Sequence, residues 1–588
     1  MALALSAALI RLIPLQFLHP LNWDEIEFYR ATAWIADGLM PFRDFWEHHT
    51  PLMWFLFAPF TKLTNSPGVD AIVLLRWVQV PVWVATFSLA NLWMRGAGIA
   101  RFARWSAMTV ALASSLLMIP AVEYRVDSLG CMLVMAWLLL VQRQRWFFAG
   151  AILCLAGFAN LRLGPVLVVA VWLALLTSRL RAWPIIAGGV VTLSACLAFF
   201  AATHSLRELV QQVWTDNLAE KYATPVIGAF VHRLLVPFGV RLIATDRTFE
   251  LAAVDVGGIA VLLLGFAGLI YALRNRGELR MLAILQLTNL LFVASMKFIY
   301  NYHFALVVIF MIPLIASMFE RVRRTQIVFA ILVLAWSVNA FASIFRGKEL
   351  DRAYQDLIMR EVAARTLPGE SVWSGMTWCL QCHPAYRFWF LPELARQLVR
   401  TGLAEPYDIG RRPPSAVVFD HNALVWVGTV QRELAPYLLR HYIPVWRELW
   451  MPGLNARIPP GHSYVWRANA QANYRLYVSA PLARHPWFRN PLAFVTYKKA
   501  DASRFTIRLP EPEQQQGVVR VNAVMVDGVF PLRFEQRVVA TNTSDRELAV
   551  FLIPSDERIL FREPPGGATL EGESTRVTHI PDFGVEIR

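Results

Sequence analysis

The stretch HPLNWDEIEFYRATAWIADGLMPFRDFWEHHTPL, residues 19–52, decides how this chain is interpreted. Acidic and histidine side chains mark its two ends: Asp24, Glu25 and Glu27, then Asp44, Glu47, His48 and His49. Between them, apolar residues recur at helical spacing, which predicts an amphipathic helix over residues 24–37 that lies along a membrane surface. Asn22 or Asp24 can cap the start of this helix, and Gly38 suits its end.

The composition is that of a membrane protein with many spans. The chain has 588 residues, of which 56% are hydrophobic, and its mean hydropathy is +0.43, which excludes an ordinary soluble protein. The net charge of +14 is a signal for nucleic acid, but most Arg and Lys residues before position 346 lie in short loops between apolar runs. Basic residues in such loops orient a protein in the membrane, so we expect no nucleic-acid partner.

Apolar runs predict eleven membrane spans. They cover residues 1–19, 69–94, 105–122, 127–141, 146–160, 162–177, 184–203, 251–273, 281–296, 299–318 and 326–345. For the first run we favour a retained helix over a cleaved signal peptide, because no small-x-small cleavage site sits well before His19. Residues 51–63 are too short to cross about 30 Å of hydrocarbon, which predicts a second helix on the surface. With this count five Arg clusters share one side, the cytoplasmic side by the positive-inside rule.

The opposite, outer side collects the polar residues at the ends of the spans. They lie in the loop over residues 20–68, around Glu123, Arg125 and Asp127, around Arg162, in the long loop 204–250 with Lys221, and around Lys297, Tyr302 and His303. Ionisable residues at the edge of a membrane are costly and tend to mark function, so we expect a site on this face. The alternative is that each residue merely anchors a helix end at the interface.

The character of the sequence changes after residue 345. A helix, a strand and a second helical stretch predict a small α/β domain over residues 346–460. Short alternating runs separated by turn residues predict a β-sandwich-like domain over residues 461–588. In the predicted topology both domains are outside the cell membrane, where they could bind the acceptor or a protein partner.

The Asp24-Glu25 pair after the first helix, the Gly38-x-x-Pro41-Phe42-x-Asp44 pattern and the Thr50-Pro51-Leu52 run resemble the first outer loop of GT-C glycosyltransferases. More narrowly, they resemble the branch of protein O-mannosyltransferases and aminoarabinose lipid A transferases. Residues 24–52 carry the specific part of the resemblance, and the topology extends it to about residue 345.

This resemblance implies a GT-C-like polytopic helical domain over residues 1–345 and an inverting glycosyltransferase. The enzyme would move a hexosyl or pentosyl group from a polyprenyl-phosphate donor in the bilayer to a glycan, lipid or protein acceptor on the outer face. The Arg-rich character indicates a bacterium, and hence the bacterial inner membrane. Two alternatives stay open: a non-catalytic scaffold that keeps the fold, and a transporter, which is disfavoured because the polar residues gather at one surface.

The resemblance also implies roles for residues. Asp24 aligns with the catalytic acid of the family and would act as the base for the acceptor hydroxyl, with Glu25 orienting or supporting it. The donor phosphate would be bound by Lys297 first, and further by Arg162, Arg125, Tyr302 and His303. Contacts to the substrates are expected from Asp127, Asp44, Glu47, His48 and Lys221.

Two groups of residues bear on whether the protein binds a divalent cation or a haem. No cofactor is expected, with a divalent cation as the alternative, because the outer carboxylates and imidazoles could ligate one. His48 and His49 would point apart on a helix or strand, which argues against a shared ion. The run Cys379-Leu380-Gln381-Cys382-His383 matches c-type haem attachment, but we favour a disulfide in an oxidising compartment or an incidental pair.

Overall fold

The computed structural model divides the chain into two compact units, Met1–Asp356 and Leu357–Arg588. The residues it describes are 12–178, 183–217, 227–238, 240–243, 248–251, 254–275, 277–296, 299–321, 326–345, 348–446, 448–467, 472–479, 505–510, 519–523, 529–532, 537–542 and 548–554. Lys221 and Lys297 lie outside these ranges, so the predictions that concern them stay predictions.

The first unit is predominantly helical. Its helices are α1 (Leu12–Leu18), α2 (Trp23–Ala36), α3 (Leu52–Thr61), α4 (Val69–Gly96), α5 (Arg101–Ala113), α6 (Ser115–Val122), α7 (Val126–Gln142), α8 (Trp146–Ala159), α9 (Gly164–Ser178), α10 (Trp183–Ala202), α11 (Leu206–Leu209), α12 (Ile227–Leu235), α13 (Val256–Arg274), α14 (Glu278–Ser295), α15 (Phe304–Phe319), α16 (Gln326–Phe345) and α17 (Lys348–Arg365), in which the division between the units falls. A π-helical turn, Val210–Asp216, continues α11, and a short antiparallel pair, β1 (Val240–Ile243) and β2 (Thr248–Leu251), follows α12.

Five segments in the described part of the chain are long and apolar enough to cross a membrane: α4, α10, α13, α14 and Asn301–Phe319. A sixth arises if α5 and α6 form one span, bent by 73°. The chain is therefore a membrane protein, as predicted. Helices also occupy the other described positions where spans are predicted, but several of them are apolar helices only 10–17 residues long, so the count of eleven stays a prediction.

Helix α2 begins and ends within one residue of the predicted bounds. The Asn22 side chain accepts a hydrogen bond from the Asp24 N–H, and the Glu25 carboxylate accepts one from the Asn22 N–H, which together form a capping box. Gly38, at φ +88°, follows the last turn in a conformation that favours glycine.

The prediction that α2 is amphipathic, with a polar face exposed to solvent, is wrong. Residues 25–32 are all buried, and these include Glu25, Glu27 and Arg30. Charged side chains occur inside the fold because they meet charged partners on other segments, which a pattern of apolar spacing does not reveal. Helix α3 has ten residues, as short as predicted, and packs beside α2.

The second unit contains a small α/β layer of the predicted kind. Its elements are β3 (Ser371–Ser374), β4 (His383–Pro384), α18 (Glu393–Arg400), β5 (Ala416–Val418), α19 (His421–Thr429), α20 (Leu434–His441), β6 (Tyr442–Trp446) and β7 (Leu449–Pro452). The strands form one mixed sheet in the order β4-β3-β5-β7-β6, in which β3 is parallel to both of its neighbours. All three residues of β5 are buried, as expected for a central strand with both faces covered.

The remaining described strands form two antiparallel four-stranded sheets. They are β8 (Leu454–Ile458), β9 (Ser463–Arg467), β10 (Ala472–Ser479), β11 (Phe505–Pro510), β12 (Val519–Ala523), β13 (Val529–Leu532), β14 (Arg537–Asn542) and β15 (Leu548–Pro554). The orders are β13-β10-β15-β8 and β12-β11-β14-β9. A β-rich C-terminal region is thus present, whereas its sandwich packing and the boundary at residue 460 stay predictions.

Cys379 and Cys382 are joined by a disulfide and are both buried. Both sulfur atoms are therefore taken up in the bond that we favoured, and neither is a thiol that could attach a haem. The Thr366 hydroxyl contacts both sulfur atoms, at 3.3 Å from that of Cys382 and 3.8 Å from that of Cys379.

Candidate functional site

The site is built around the fully buried guanidinium of Arg125, which lies between α6 and α7. Its three nitrogens contact three carboxylates: Nη2 lies 2.8 Å from Asp24, Nε 3.1 Å from Asp127 and Nη1 3.4 Å from Glu123. Its central carbon also lies 3.4 Å from the centre of the Tyr302 ring, a cation–π contact. Arg125 thereby brings together the first outer loop, the loop before α7 and the start of α15.

This geometry changes the role expected for Arg125. A guanidinium already surrounded by three carboxylates and a ring has little capacity left for a donor phosphate. The structure therefore does not support the prediction that Arg125 binds this phosphate directly. It supports instead a role in orienting Asp24, whose carboxylate lies 2.8 Å from Nη2 of Arg125.

Asp24 is the reachable carboxylate of this group. Its side chain is 27% exposed, compared with 4% for Glu123 and 9% for Asp127. Burial by itself would raise the pKa of Asp24, but the charge of Arg125 and the hydrogen bond to it outweigh burial, so the pKa lies below its usual value of 3.8. Asp24 is thus ionised at neutral pH and accessible, as the predicted base must be.

Glu25, adjacent in sequence, faces a different environment. Both of its oxygens are engaged by the buried Arg76 of α4, at 2.7 Å and 2.6 Å. The backbone N–H groups of Asn22 and Tyr124 donate to the same carboxylate. Glu25 is completely buried and its oxygens already accept from four donors, whereas its supporting role toward Asp24 stays a prediction.

A cavity opens beside Arg125, between α7, α14 and the start of α15. Its lining is partly polar and partly apolar and consists of Asp127, Cys131, Asn160, Arg162, Leu163, Asn289, Phe292, Val293, Met296, Tyr302, His303 and Leu306. It thus holds four of the predicted site residues together: Asp127, Arg162, Tyr302 and His303. Asn160 donates to Asp127 at 2.9 Å, which fixes the carboxylate at the rim.

Two buried donors in this cavity have no hydrogen-bond partner among the described residues: Nδ2 of Asn289 and Nε2 of His303. Because Nδ1 of His303 accepts from the Tyr300 N–H, the neutral ring carries its proton on Nε2. Arg162 is the available cation, since its guanidinium donates no hydrogen bond to a described residue and lies 5.4 Å from the Tyr302 ring. Beside the Asp127 carboxylate, the cavity lining therefore includes one cation and two donors that suit an anion.

The polar residues at the end of the first loop, Asp44 to His49, fall into an exposed part and a buried part. Asp44 is partly exposed; it pairs with Arg43 and accepts from the Met40 N–H, which closes a turn. Glu47, His48 and His49 instead turn inward and meet Glu27 of α2. The prediction that the two imidazoles point apart is wrong: their ring centres are 4.0 Å apart, because residues 46–50 are neither helix nor strand.

The acid–histidine cluster, defined as Glu27, Glu47, His48 and His49, has an unusual charge balance. Burial and the neighbouring Glu47 raise the pKa of Glu27 well above its usual value. Burial and the neighbouring His48 lower the pKa of His49 to about 4, so its ring is neutral at pH 7. Two buried carboxyl groups thus lie together beside the neutral ring of His49.

Sequence reasoning missed several residues of this site, but a signal existed for two of them. Arg76 is a lone cation within the predicted span 69–94, and such a residue needs a buried partner. Glu27 lies three residues after Asp24 and therefore on the same face of α2. No sequence signal marks Asn289, whose relevance depends on the packing of α14 beside the cavity.

No protein-family model matches this sequence, and no curated protein sequence matches it significantly. Among solved structures, ArnT from Cupriavidus metallidurans bound to undecaprenyl phosphate has 12% identity and a TM-score of 0.52, and covers 72% of this chain and 94% of its own. The apo state of ArnT gives 11% identity and a TM-score of 0.48 over 92% and 98% of the two chains. The oligosaccharyltransferase AglB of Archaeoglobus fulgidus gives 13% identity and 0.43 over 81% and 72%.

At 12% identity the likeness to the first of these structures concerns the fold alone. It confirms the fold that the resemblance of residues 24–52 implied: this chain has the fold of the ArnT structure.

Proposed function

We propose that this protein is an inverting membrane glycosyltransferase that takes a sugar from a polyprenyl-phosphate donor. The observation that carries the proposal is an accessible, ionised carboxylate, Asp24, held by Arg125 beside a cavity whose lining includes the Arg162 cation and apolar side chains. The fold supports it, because the ArnT structure of the same fold is described as bound to undecaprenyl phosphate.

In the proposed reaction the acceptor hydroxyl oxygen attacks the anomeric carbon from the side opposite the phosphate. Asp24 accepts the hydroxyl proton as the new glycosidic bond forms. The bond between the anomeric carbon and the phosphate oxygen breaks, and its electron pair leaves with the polyprenyl phosphate. Attack from the opposite side inverts the anomeric configuration.

The leaving phosphate gains negative charge in this step and needs donors that are already in position. Arg162, Nε2 of His303 and Nδ2 of Asn289 line the cavity and supply a cation and two neutral donors. Lys297 remains the further cation that the sequence predicts. The apolar wall of Val293, Phe292 and Leu306 suits the first isoprene units of the donor.

The positive-inside pattern of the Arg loops supports an outer location for this site in a bacterial inner membrane. The acceptor would then reach Asp24 from the periplasmic or extracellular side. The β-rich second unit is a candidate for binding that acceptor or a protein partner.

The test is transfer of radiolabelled sugar from polyprenyl-phosphate donors in membranes that contain the full chain. Asp24→Asn keeps the shape of the side chain but cannot accept the proton, and we expect transfer to fall by about 10²–10⁴-fold. The matched control is Asp37→Asn at the other end of α2, where the carboxylate is 53% exposed and pairs with Lys62, and it should transfer at the wild-type rate.

Undiminished transfer by Asp24→Asn would remove Asp24 as the base. Donor binding by the wild type without transfer to any acceptor would favour the scaffold alternative. The anomeric configuration of the product gives a second check, since retention would contradict single-step attack.

A further inference from the structure

We propose that the acid–histidine cluster is a binding site for one divalent transition-metal ion, and that Zn²⁺ is the ion that fits it. This inference goes beyond the proposed transfer, whose steps require no metal.

The geometry of the cluster is that of a nearly assembled ligand set. Each of the four residues offers one ligand atom, and these atoms all lie within 4.8 Å of one another. Nδ1 of His49 lies 3.0 Å from Glu27 Oε1 and 2.9 Å from Glu47 Oε1, and Nδ1 of His48 lies 3.9 Å and 3.5 Å from the same two oxygens. Ligands of a tetrahedral Zn²⁺ are about 3.3 Å apart, so small side-chain movements complete the site.

The cluster also has ligand capacity that the protein itself does not use. Oε2 of Glu47 is buried and has no hydrogen-bond partner among the described residues, and the Glu47 side chain is completely buried. Its other oxygen is already held by the N–H groups of His48 and His49, which orients the carboxylate. A buried carboxylate oxygen without a donor is costly, and a cation is a partner that removes this cost.

Charge balance selects the class of ion. Glu27 and Glu47 are both at most 5% exposed, and two adjacent buried carboxylates repel each other when both are ionised. A divalent cation with two carboxylates and two neutral imidazoles makes a site of zero net charge. The mixed nitrogen and oxygen set favours Zn²⁺ over Mg²⁺ or Ca²⁺, which prefer oxygen ligands alone.

The position of the cluster suggests what the ion would do. Glu27 lies one turn after Asp24 on α2, whereas the other three ligands belong to the loop that follows this helix. The same loop is tied to the α11 segment: Gln212 accepts from the Glu47 N–H and donates to the Phe42 carbonyl, and Asn217 donates to the His48 carbonyl. The ion would clamp this loop against the helix that carries Asp24.

The experiment measures metal content and not activity. The full chain is purified in detergent with its affinity tag removed and without added metal, and bound metals are quantified by inductively coupled plasma mass spectrometry. We expect about one Zn²⁺ per chain in the wild type and less than about a tenth of that in Glu47→Gln and His49→Gln. The control is His462→Gln, because His462 is exposed in the second unit, and it should keep the wild-type content.

A second measurement uses the wild type alone, so that it does not depend on the folding of a variant. Chelator-treated protein is titrated with ZnCl₂ and its thermal midpoint is followed; a rise that saturates near one equivalent is expected, because an ion that binds only the folded state stabilises it. Unchanged metal content in both cluster variants, or no thermal shift in the wild type, would overturn the site. Transfer assays on the same chelated samples separate the two proposals. Transfer that continues without metal supports the glycosyltransferase, and the metal content and the thermal shift alone decide the metal site.

Discussion

Replacing Glu25 by Gln is expected to destabilise the fold strongly, although only one oxygen becomes an amide nitrogen. Oε1 of Glu25 accepts from Nε of Arg76 and from the Tyr124 N–H, and Oε2 accepts from Nη2 of Arg76 and from the Asn22 N–H. Each oxygen therefore faces two donors, and in either orientation the NH₂ group of Gln points at two N–H groups.

The magnitude follows from burial. Arg76 and Glu25 are both completely buried, and removing one partner of such a pair costs about 3–5 kcal/mol because the other charge stays buried. Asp24→Asn removes one contact of a partly exposed side chain, while Arg125 keeps Glu123 and Asp127, so its cost is about 1–2 kcal/mol. Glu25→Gln should thus be the less stable variant, and Asp24→Asn the less active one per folded molecule.

The assay is unfolding of the detergent-solubilised protein by titration with SDS, followed by far-UV circular dichroism, with Asp37→Asn as the surface control. Adding Arg76→Met to Glu25→Gln removes the buried cation that has lost its carboxylate, but it also removes hydrogen bonds to the carbonyls of Gln16, His19 and Pro20, so the double variant should not regain wild-type stability. A Glu25→Gln protein with wild-type stability and no transfer activity would refute this reasoning, because Glu25 would then act in the chemistry itself.

Three further outcomes are expected. Arg125 holds the pKa of Asp24 below 3.8, so the ion pair is lost only as the pH falls through that low value, and kcat/KM for transfer should be flat from pH 8 to about pH 5. Because Arg125→Met raises the pKa of Asp24, the loss of kcat/KM in acid should begin at a higher pH in this variant. Tyr302→Phe keeps the ring above Arg125 and should retain wild-type stability in the SDS titration, whereas Tyr302→Leu should lose about 1–2 kcal/mol, and equal stability of the two would contradict the cation–π contact. Maleimide labelling of the denatured, unreduced protein should modify the three free cysteines and reduction should raise the number to all five of the chain, while a haem stain should be negative; five labels without reduction would exclude the disulfide.

Several of these residues could be identified from the sequence because their chemistry is local. The capping box of α2 depends on residues three apart, and the length of α3 follows from one short apolar run. The likeness of residues 24–52 to the GT-C loop placed Asp24 at the centre of interest before any geometry was known. For Cys379 and Cys382 the sequence favoured a disulfide in an oxidising compartment or an incidental pair over haem attachment, and the structure shows the disulfide.

The sequence by itself determined the helical membrane class, the caps and breaks of the first loop and the choice of Asp24, because propensity, hydropathy and short motifs act over a few residues. Only the tertiary structure decided which charges neutralise each other. Arg76 lies 51 residues from Glu25, and Arg125 lies 101 residues from Asp24. The roles of Arg125, Glu25 and the acid–histidine cluster therefore depend on packing between helices distant in sequence. In a buried site, the partner of a charged side chain determines its protonation state, the groups it can still contact and the free energy that its burial costs.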